Sequence, residues 1–325
     1  RLATPETGEI VVNDLIRGKI IFNNSELDDL ILLRSDGTPT YHLCNVVDDF
    51  EQKVTTVIRG EDHLSNTPRQ IHIQNALQYP PLEYAHLPLV LGPDKKRLSK
   101  RHDATGLEEY QLEGYLDSAI LNTLARLGWS KGDQEVFYMD DLIKNFNLDD
   151  IQKAGAVFDR SKLDWLNSQH LANLTLSEIK DHLKPYLSDL SINIDNHLKV
   201  DLLIDAMRSS ANTLKGIAED LVPYYKNVTE YNENAISKFI DEEGLKILKD
   251  LRLELSELEL WDVESLDKIL VDYQRDNNCP VPKVNQPIRI ALTGSTKSPS
   301  LGLTLSLYEK EDAINRIDAL ISYIT

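Results

Sequence analysis

The chain has 325 residues, 41% of them hydrophobic and 27% charged, an ordinary balance for a soluble globular protein long enough for two or three domains. Its 53 acidic against 35 basic side chains give a net charge of −18, which argues against indiscriminate binding to nucleic acid but leaves room for a local basic track. No apolar run approaches the roughly 20 residues of a membrane span, and the start, RLATPETGEI, has no apolar signal core, so no membrane partner and a cytoplasmic location are expected. Cys44 and Cys279 lie far apart and form no C-x-x-C pair, so neither a disulfide framework nor a zinc site is indicated.

In chain order, Ile10-Val11-Val12, Lys19-Ile20-Ile21-Phe22 and Ile31-Leu32-Leu33 are short β-prone runs separated by Asn13-Asp14, Asn23-Asn24 and Ser35-Asp36-Gly37, which predicts a small sheet over residues 1–40. Tyr41 to Phe50 can be helical, TTVIR at 55–59 is β-prone, and Thr67, Pro68 and Gln70 read as the cap, first turn and capping box of a second helix with Ile73, Ala76 and Leu77 as its buried stripe. The apolar run LPLVL at 87–91 reads as a short buried strand. Alternation of this kind predicts a parallel α/β sheet, whose ligands bind beyond the carboxyl ends of the strands. Arg59-Gly60-Glu61-Asp62-His63 follows such an end, either as a polar loop with an incidental salt bridge or as part of a site.

The next loop, GPDKKRLSKRHDA at 92–104, runs against the charge of the whole molecule, since five of the seven side chains from Lys95 to Arg101 are cationic. Gly92-Pro93-Asp94 supplies a turn, and the cluster around Ser99 is either a solvated basic face or a clamp over phosphates.

Residues 106–175 read as mostly helical, with Leu116, Ile120, Leu124 and Leu127 at helical spacing before Gly128, and Trp129 and Trp165 as core anchors rather than base-stacking platforms. From 176 onward helix follows helix, ending on a stripe of Ile314, Ile317, Ile321 and Ile324.

Several of these strings together resemble glutamyl-tRNA synthetases, of class I and bacterial type. Arg97-Leu98-Ser99-Lys100-Arg101 is similar to the Lys-Met-Ser-Lys-Ser loop of class I, in its Leu-Ser-Lys-Arg form, and VIRGEDHLSNTPRQ is similar to the segment that forms the amino-acid pocket. DLIRGKIIFNN and DDLILLRSDGTPTYHL resemble the end of the insertion that holds the tRNA acceptor end. GWSKGDQEVF and VFDRSKLDWLN resemble the stem-contact region, and QPIRIALTGSTKSP at 286–299 resembles a turn of the anticodon-binding domain, although LYEKE at 307–311 departs from the usual Leu-Gly-Lys-Glu.

The resemblance implies an α/β fold followed by an all-α one. The expected parts are the end of the acceptor-binding insertion at 1–40, the second half of a Rossmann-type catalytic domain at 41–94, a stem-contact domain at 95–175 and a helical anticodon-binding domain at 176–325. It also implies ATP-dependent activation of glutamate to glutamyl-AMP and transfer to the tRNA for glutamate, tRNA(Glu), with Mg2+ accompanying ATP, no zinc in this chain and a monomeric protein. Arg59 is then the arginine that pairs with a substrate carboxylate, a task that suits a planar, permanently charged fork. Tyr41 would hydrogen-bond the bound glutamate, and Asn45 and His63 would line the pocket.

In the loop Lys100 would stabilise the pyrophosphate leaving group, Arg97 keeps the charge of a position that is usually lysine, and Ser99 would bind phosphate or brace the turn; Leu98 and Arg101 complete the string. None of the histidines, at 42, 63, 72, 86, 102, 170, 182 and 197, begins an H-x-G-H string, so the chain reads as a synthetase that begins part way through its catalytic fold. The alternative expectation is a tRNA-binding fragment or paralogue that lacks catalysis.

Overall fold

The computed structural model describes residues 1–99, 106–194, 199–209 and 211–325. Two compact units divide them, Arg1–Gly106 with Asp117–Leu166, and Leu107–Leu116 with Asn167–Thr325.

The first unit is built on a four-stranded sheet. β1 (Glu9–Asp14) and β2 (Gly18–Asn23) form an antiparallel hairpin whose register runs from Glu9↔Asn23 to Asp14↔Gly18. β3 (Thr56–Gly60) and β4 (Glu83–Leu87) pair in parallel from Thr56↔Glu83 to Gly60↔Leu87. The order is β2-β1-β4-β3, so the hairpin of residues 1–40 joins the parallel pair instead of standing apart. β1 meets β4 at the single pair Asp14↔Tyr84, followed by Leu15 N–H donating to the Tyr84 carbonyl at 2.8 Å.

Helices α1 (Tyr41–Glu51) and α2 (Thr67–Leu77) pack against each other, and Leu30, Val46 and Ile73 form a core cluster under them. Ile31–Leu33 is not a strand; the isolated bridges Leu2↔Leu30 and Leu33↔Pro39, with Thr40 donating to the carbonyls of Ile31 and Leu32, tie this stretch down. LPLVL is divided as well: Leu87 ends β4, Pro88 cannot donate to a ladder, and Val90–Leu91 forms β5 as a separate short strand.

The start of α2 differs from the expected capping box. A 3-10 turn, Glu61–Asn66, runs straight into the helix, so Thr67 is already helical and the N-terminal amides are not left for a cap. Its hydroxyl is turned to Arg59 and His86 instead. The buried face of α2 is Thr67, Pro68, Gln70, Ile73 and Gln74; Ala76 and Leu77 are exposed.

β5 pairs in parallel with a later strand, and a tight turn leads from it into the basic loop. Gly92 and Lys96 close that turn with Gly92 N–H donating to the Lys96 carbonyl at 2.8 Å, and Leu98 N–H returns to Val90 at 2.8 Å. The chain then passes through α3 (Leu107–Leu112), which belongs to the second unit, before α4 (Asp117–Arg126), α5 (Met139–Asn145), β6 (Ala156–Val157) and α6 (Arg160–Asn173). β6 is the partner of β5.

α4 ends at Arg126 and buries Ala119, Asn122 and Thr123, while Leu124, expected inside, is exposed. The reason is polar: the Asn122 amide bonds the backbone of Glu135 and Phe137, which fixes that face inward. Trp129 is a core anchor against Phe137 and Phe146, with ring centroids 5.0 and 5.5 Å apart. Trp165 is not, being 45% exposed.

The second unit is helical throughout its described elements. After α7 (Leu176–Asp189) come α8 (Val200–Arg208), α9 (Leu214–Tyr225), α10 (Glu233–Phe239), α11 (Glu242–Glu257), α12 (Val263–Asp276), α13 (Val281–Thr293), α14 (Leu301–Ser306) and α15 (Lys310–Ile324). Their starts are marked in the sequence. Thr175 and Glu178 form a capping box, and Thr213, Asn232, Asp241 and Asp262 each accept from an amide of the first turn. α11 packs on α13 and α15, α12 on α14, and α7 on α9. At Gly114 φ is +88°, and an added Cβ would stand 2.3 Å from the amide nitrogen of Lys215.

One charged side chain lies inside this packing. Arg316 of α15 is 7% exposed; it donates to the carbonyls of Leu292 at 3.2 Å and Lys226 at 3.0 Å, and to Asp312 at 3.1 Å. Its guanidinium carbon sits 4.8 Å from the centroid of Tyr308, whose hydroxyl also donates to Leu292. Ile314 and Ile317 are buried as expected from their spacing, while Ile321 and Ile324 are half-buried and Leu320 takes the inner position. No described helix is long and apolar enough to cross a membrane.

Candidate active site

The site is assembled where the parallel strands end. Arg59 and His86 are direct partners in the β3–β4 register, so their side chains leave the same face of the sheet one strand apart. Nε of Arg59 donates to Nε2 of His86 at 3.1 Å, and Nη2 donates to the hydroxyl of Thr67 at 2.9 Å. The Thr67 hydroxyl lies 3.2 Å from the same His86 nitrogen. These three side chains close a ring around one edge of the guanidinium. Nη2 also reaches the carbonyl of His63 at 3.4 Å, and Nη1 makes no hydrogen bond among the described residues.

Burial pushes the Arg59 guanidinium below its usual range, against the upward pull of Tyr84, Tyr41 and Asp49. The group stays cationic at neutral pH, because an arginine starts so far above it. The Tyr84 ring lies under it, 5.7 Å from the guanidinium carbon to the centroid.

Tyr41 opens α1 and meets His63 on the 3-10 turn, its hydroxyl 3.3 Å from Nδ1; Asn66 holds the same nitrogen at 3.2 Å. Tyr41, Arg59 and His63 are thus brought together. Asn45 lies one helical turn beyond Tyr41 and faces the same side of α1.

Among its described residues the basic loop touches this region through Arg97. Nη1 of Arg97 pairs with Asp62 at 3.0 Å, next to His63 on the 3-10 turn. Arg97 is 67% exposed, so the pair contributes little stability in water. Leu98 is fixed by its backbone and Ser99 is exposed, while Lys100 and Arg101 lie outside the described residues.

Sequence reasoning passed over Asp14 and His86. Asp14 is 4% and His86 0% exposed, and Oδ2 of Asp14 lies 2.6 Å from Nδ1 of His86. Burial pushes the Asp14 carboxyl up, but the amide of Arg17, the His86 ring and the amides of His86 and Ile16 outweigh it and hold the group below its ordinary range. At His86 burial presses the imidazole below its usual range, with Arg59 and Arg17 acting in the same sense and Asp14 only partly opposing them. The available signal was a polar side chain at or next to the C-terminal end of each of two short strands, EIVVND and EYAHL. Among the described residues no group of three or more His, Cys, Asp or Glu side chains could hold a metal ion.

Residues 1–165 match the family model described as tRNA synthetases class I (E and Q), catalytic domain, and residues 178–321 match that of an anticodon binding domain. The chain is 42% identical to a glutamate–tRNA ligase of Thermodesulfovibrio yellowstonii, across 99% of its own length and 70% of that protein. It is 41% identical to glutamate–tRNA ligase 2 of Halorhodospira halophila, across 100% of its length and 69% of that protein. Among solved structures, a glutamate tRNA ligase from Elizabethkingia meningosepticum in complex with its amino acid superposes with a TM-score of 0.81 at 31% identity, covering 99% of this chain and 68% of that one.

Proposed function

This chain belongs to the glutamate–tRNA ligase family of class I tRNA synthetases, and on that premise we propose that it serves the ATP-dependent activation of glutamate to glutamyl-AMP and the transfer of the glutamyl group to tRNA(Glu). The observation that carries the amino-acid half of this reading is the arrangement of Arg59, with one edge of its fork anchored and Nη1 left for a ligand, next to Tyr41 and His63. A guanidinium so held binds a carboxylate in one orientation through paired, charge-assisted hydrogen bonds. Tyr41, Asn45 and His63 line the pocket in this reading.

ATP enters as its Mg2+ complex, a substrate, and Arg97, Leu98, Ser99, Lys100 and Arg101 form the loop over its phosphates. Lys100 stabilises charge that develops on the departing pyrophosphate, a role that depends on placement more than on proton transfer. Residues 1–40 close the acceptor-binding insertion, 41–94 continue the catalytic fold, 95–175 contact the tRNA stem and 176–325 bind the anticodon. The protein works as a cytoplasmic monomer.

No histidine of the chain begins an H-x-G-H string, and we propose that these residues alone bind tRNA but do not catalyse exchange. Intact mass of the purified gene product, paired with ATP–pyrophosphate exchange in the presence of glutamate and tRNA, tests both statements. A mass well above 36.9 kDa with exchange supports the ligase and assigns catalysis to the longer product. Exchange by a product of 36.9 kDa would refute the claim of inactivity, and failure of a longer product to exchange with glutamate would refute the substrate.

A further inference from the structure

The network behind Arg59 has a direction, which follows from which atoms can donate. A carboxylate only accepts, so the 2.6 Å contact between Asp14 and His86 requires the proton on Nδ1 of the imidazole. Asp14 is itself held in place by the amides of Ile16 and Arg17 at 3.0 and 2.8 Å and by that of His86. A neutral ring protonated on Nδ1 presents Nε2 as an acceptor, and it is Nε2 that faces the Nε–H of Arg59 at 3.1 Å.

Arginine has no acceptor, so the opposite tautomer would set N–H against N–H at that distance. The Thr67 hydroxyl completes the circuit. It accepts from Nη2 of Arg59 at 2.9 Å and can turn its own hydrogen to Nε2 of His86 at 3.2 Å, sharing the single lone pair of that nitrogen with the Nε–H of Arg59. Every polar atom on the anchored edge then has a partner of the right kind.

We propose that Asp14, His86 and Thr67 are a positioning relay for the amino-acid pocket. By fixing the Nδ1–H tautomer of His86 they hold the Nε–Nη2 edge of Arg59 and turn the Nη1 end of the fork toward the substrate carboxylate. The relay rests on the reading of Arg59 as the residue that pairs with that carboxylate. None of the three supporting residues touches substrate; they act through the guanidinium, and their effect is on recognition of glutamate and not of ATP.

Two measurements test it. In the chain labelled with 15N-histidine, long-range proton–nitrogen spectra read the tautomer of His86 directly. The wild type should show a protonated Nδ1 and a bare Nε2, and Asp14→Asn, whose amide can donate to Nδ1, should invert them. A protonated Nε2 in the wild type would overturn the relay.

The second measurement is the KM for glutamate and for ATP in pyrophosphate exchange by the complete gene product, with Arg59→Lys as the reference. Thr67→Val keeps the side-chain shape and removes only the hydroxyl, so it should raise the KM for glutamate about tenfold, the worth of one buried hydrogen bond, and leave that for ATP unchanged. Thr67→Ser should return it to within about twofold of wild type, since it restores that bond. If Arg59→Lys raises the glutamate KM and Thr67→Val does not, the relay is wrong while the pocket reading survives. If Arg59→Lys leaves the glutamate KM unmoved, the pocket reading fails, and the relay with it.

Discussion

Replacing Arg316 by methionine should cost the second unit about 3 kcal/mol. The stem of the side chain is replaced by one of similar length, so most of the apolar packing survives and the loss is polar. The Lys226 carbonyl has no other donor among the described residues and is left unsatisfied, a penalty of about 1–3 kcal/mol. The Leu292 carbonyl keeps the hydroxyl of Tyr308, so there the loss is one charge-assisted bond of about 1.5 kcal/mol. The contact over the Tyr308 ring adds about 1 kcal/mol.

The bond to Asp312 adds little, because that carboxylate is 45% exposed. Relief from holding a guanidinium out of water offsets part of the sum, which leaves a net of about 3 kcal/mol. At about 2–4 °C per kcal/mol for a unit of this size, thermal unfolding followed by circular dichroism should shift down by about 6–12 °C. Asp312→Ala should shift it by no more than about 1 kcal/mol. A loss below about 1 kcal/mol in Arg316→Met, or equal losses in the two variants, would refute the assignment of the stability to the buried carbonyls.

Lys100→Ala in the complete protein should lower pyrophosphate exchange by about a hundredfold to a thousandfold, as loss of an oxyanion donor does; an unchanged rate would remove this lysine from the mechanism. Gly114→Ala should destabilise the second unit by more than about 1 kcal/mol, since a side chain there combines left-handed backbone with a collision against the Lys215 amide, and an unshifted urea midpoint would contradict it. Burial holds His170 below the usual histidine range, so the unfolded chain takes up a proton near pH 6.5 and the folded one does not. Its contribution is complete above about pH 6.5 and is lost as the pH falls toward the folded value, at about 1.4 kcal/mol per unit. Asp49, Asp220 and Glu254, whose burial raises them, act in the opposite sense, so the readout is a difference: His170→Leu should flatten the fall in unfolding free energy between pH 6.5 and 5 relative to wild type. Parallel curves for the two proteins would count against it.

What the sequence made legible was local. β1, β2, β3 and α1 could be read from short apolar runs and the turns between them, and the polar run from Arg59 to His63 could be singled out because it lies at the end of a strand of a parallel sheet, while the choice of Arg59 within it came from resemblance. Pairing between distant strands was not legible. Asp14 and His86 each look like a polar residue at the end of an apolar run, and only the β1–β4 pairing makes them one buried unit. Thr67 was singled out for the wrong bond, since capping signals do not say whether a 3-10 turn precedes the helix. LPLVL failed because apolar content alone does not register that Pro88 interrupts the ladder. Trp165 failed because size and hydrophobicity do not say which side of α6 meets the core.

The narrow contact between β1 and β4 also bears on the order in which this sheet is made. The hairpin of β1 and β2 closes over a few residues, and β3, α2 and β4 are consecutive, so each half can form from its own neighbourhood. The join links residues about 70 apart, and besides one strand pair, one further amide bond and the carboxylate of Asp14 it includes Arg17 on the His86 carbonyl and on Glu61, Asn24 on His72, and Ile16 packed on Ala85. Closing so long a loop is unfavourable until these contacts form together, and the only ion pair among them with both side chains fully buried is that of Asp14 and His86. The two halves should therefore assemble first and lock together late, with Asp14 setting how fast they come apart far more than how fast they form.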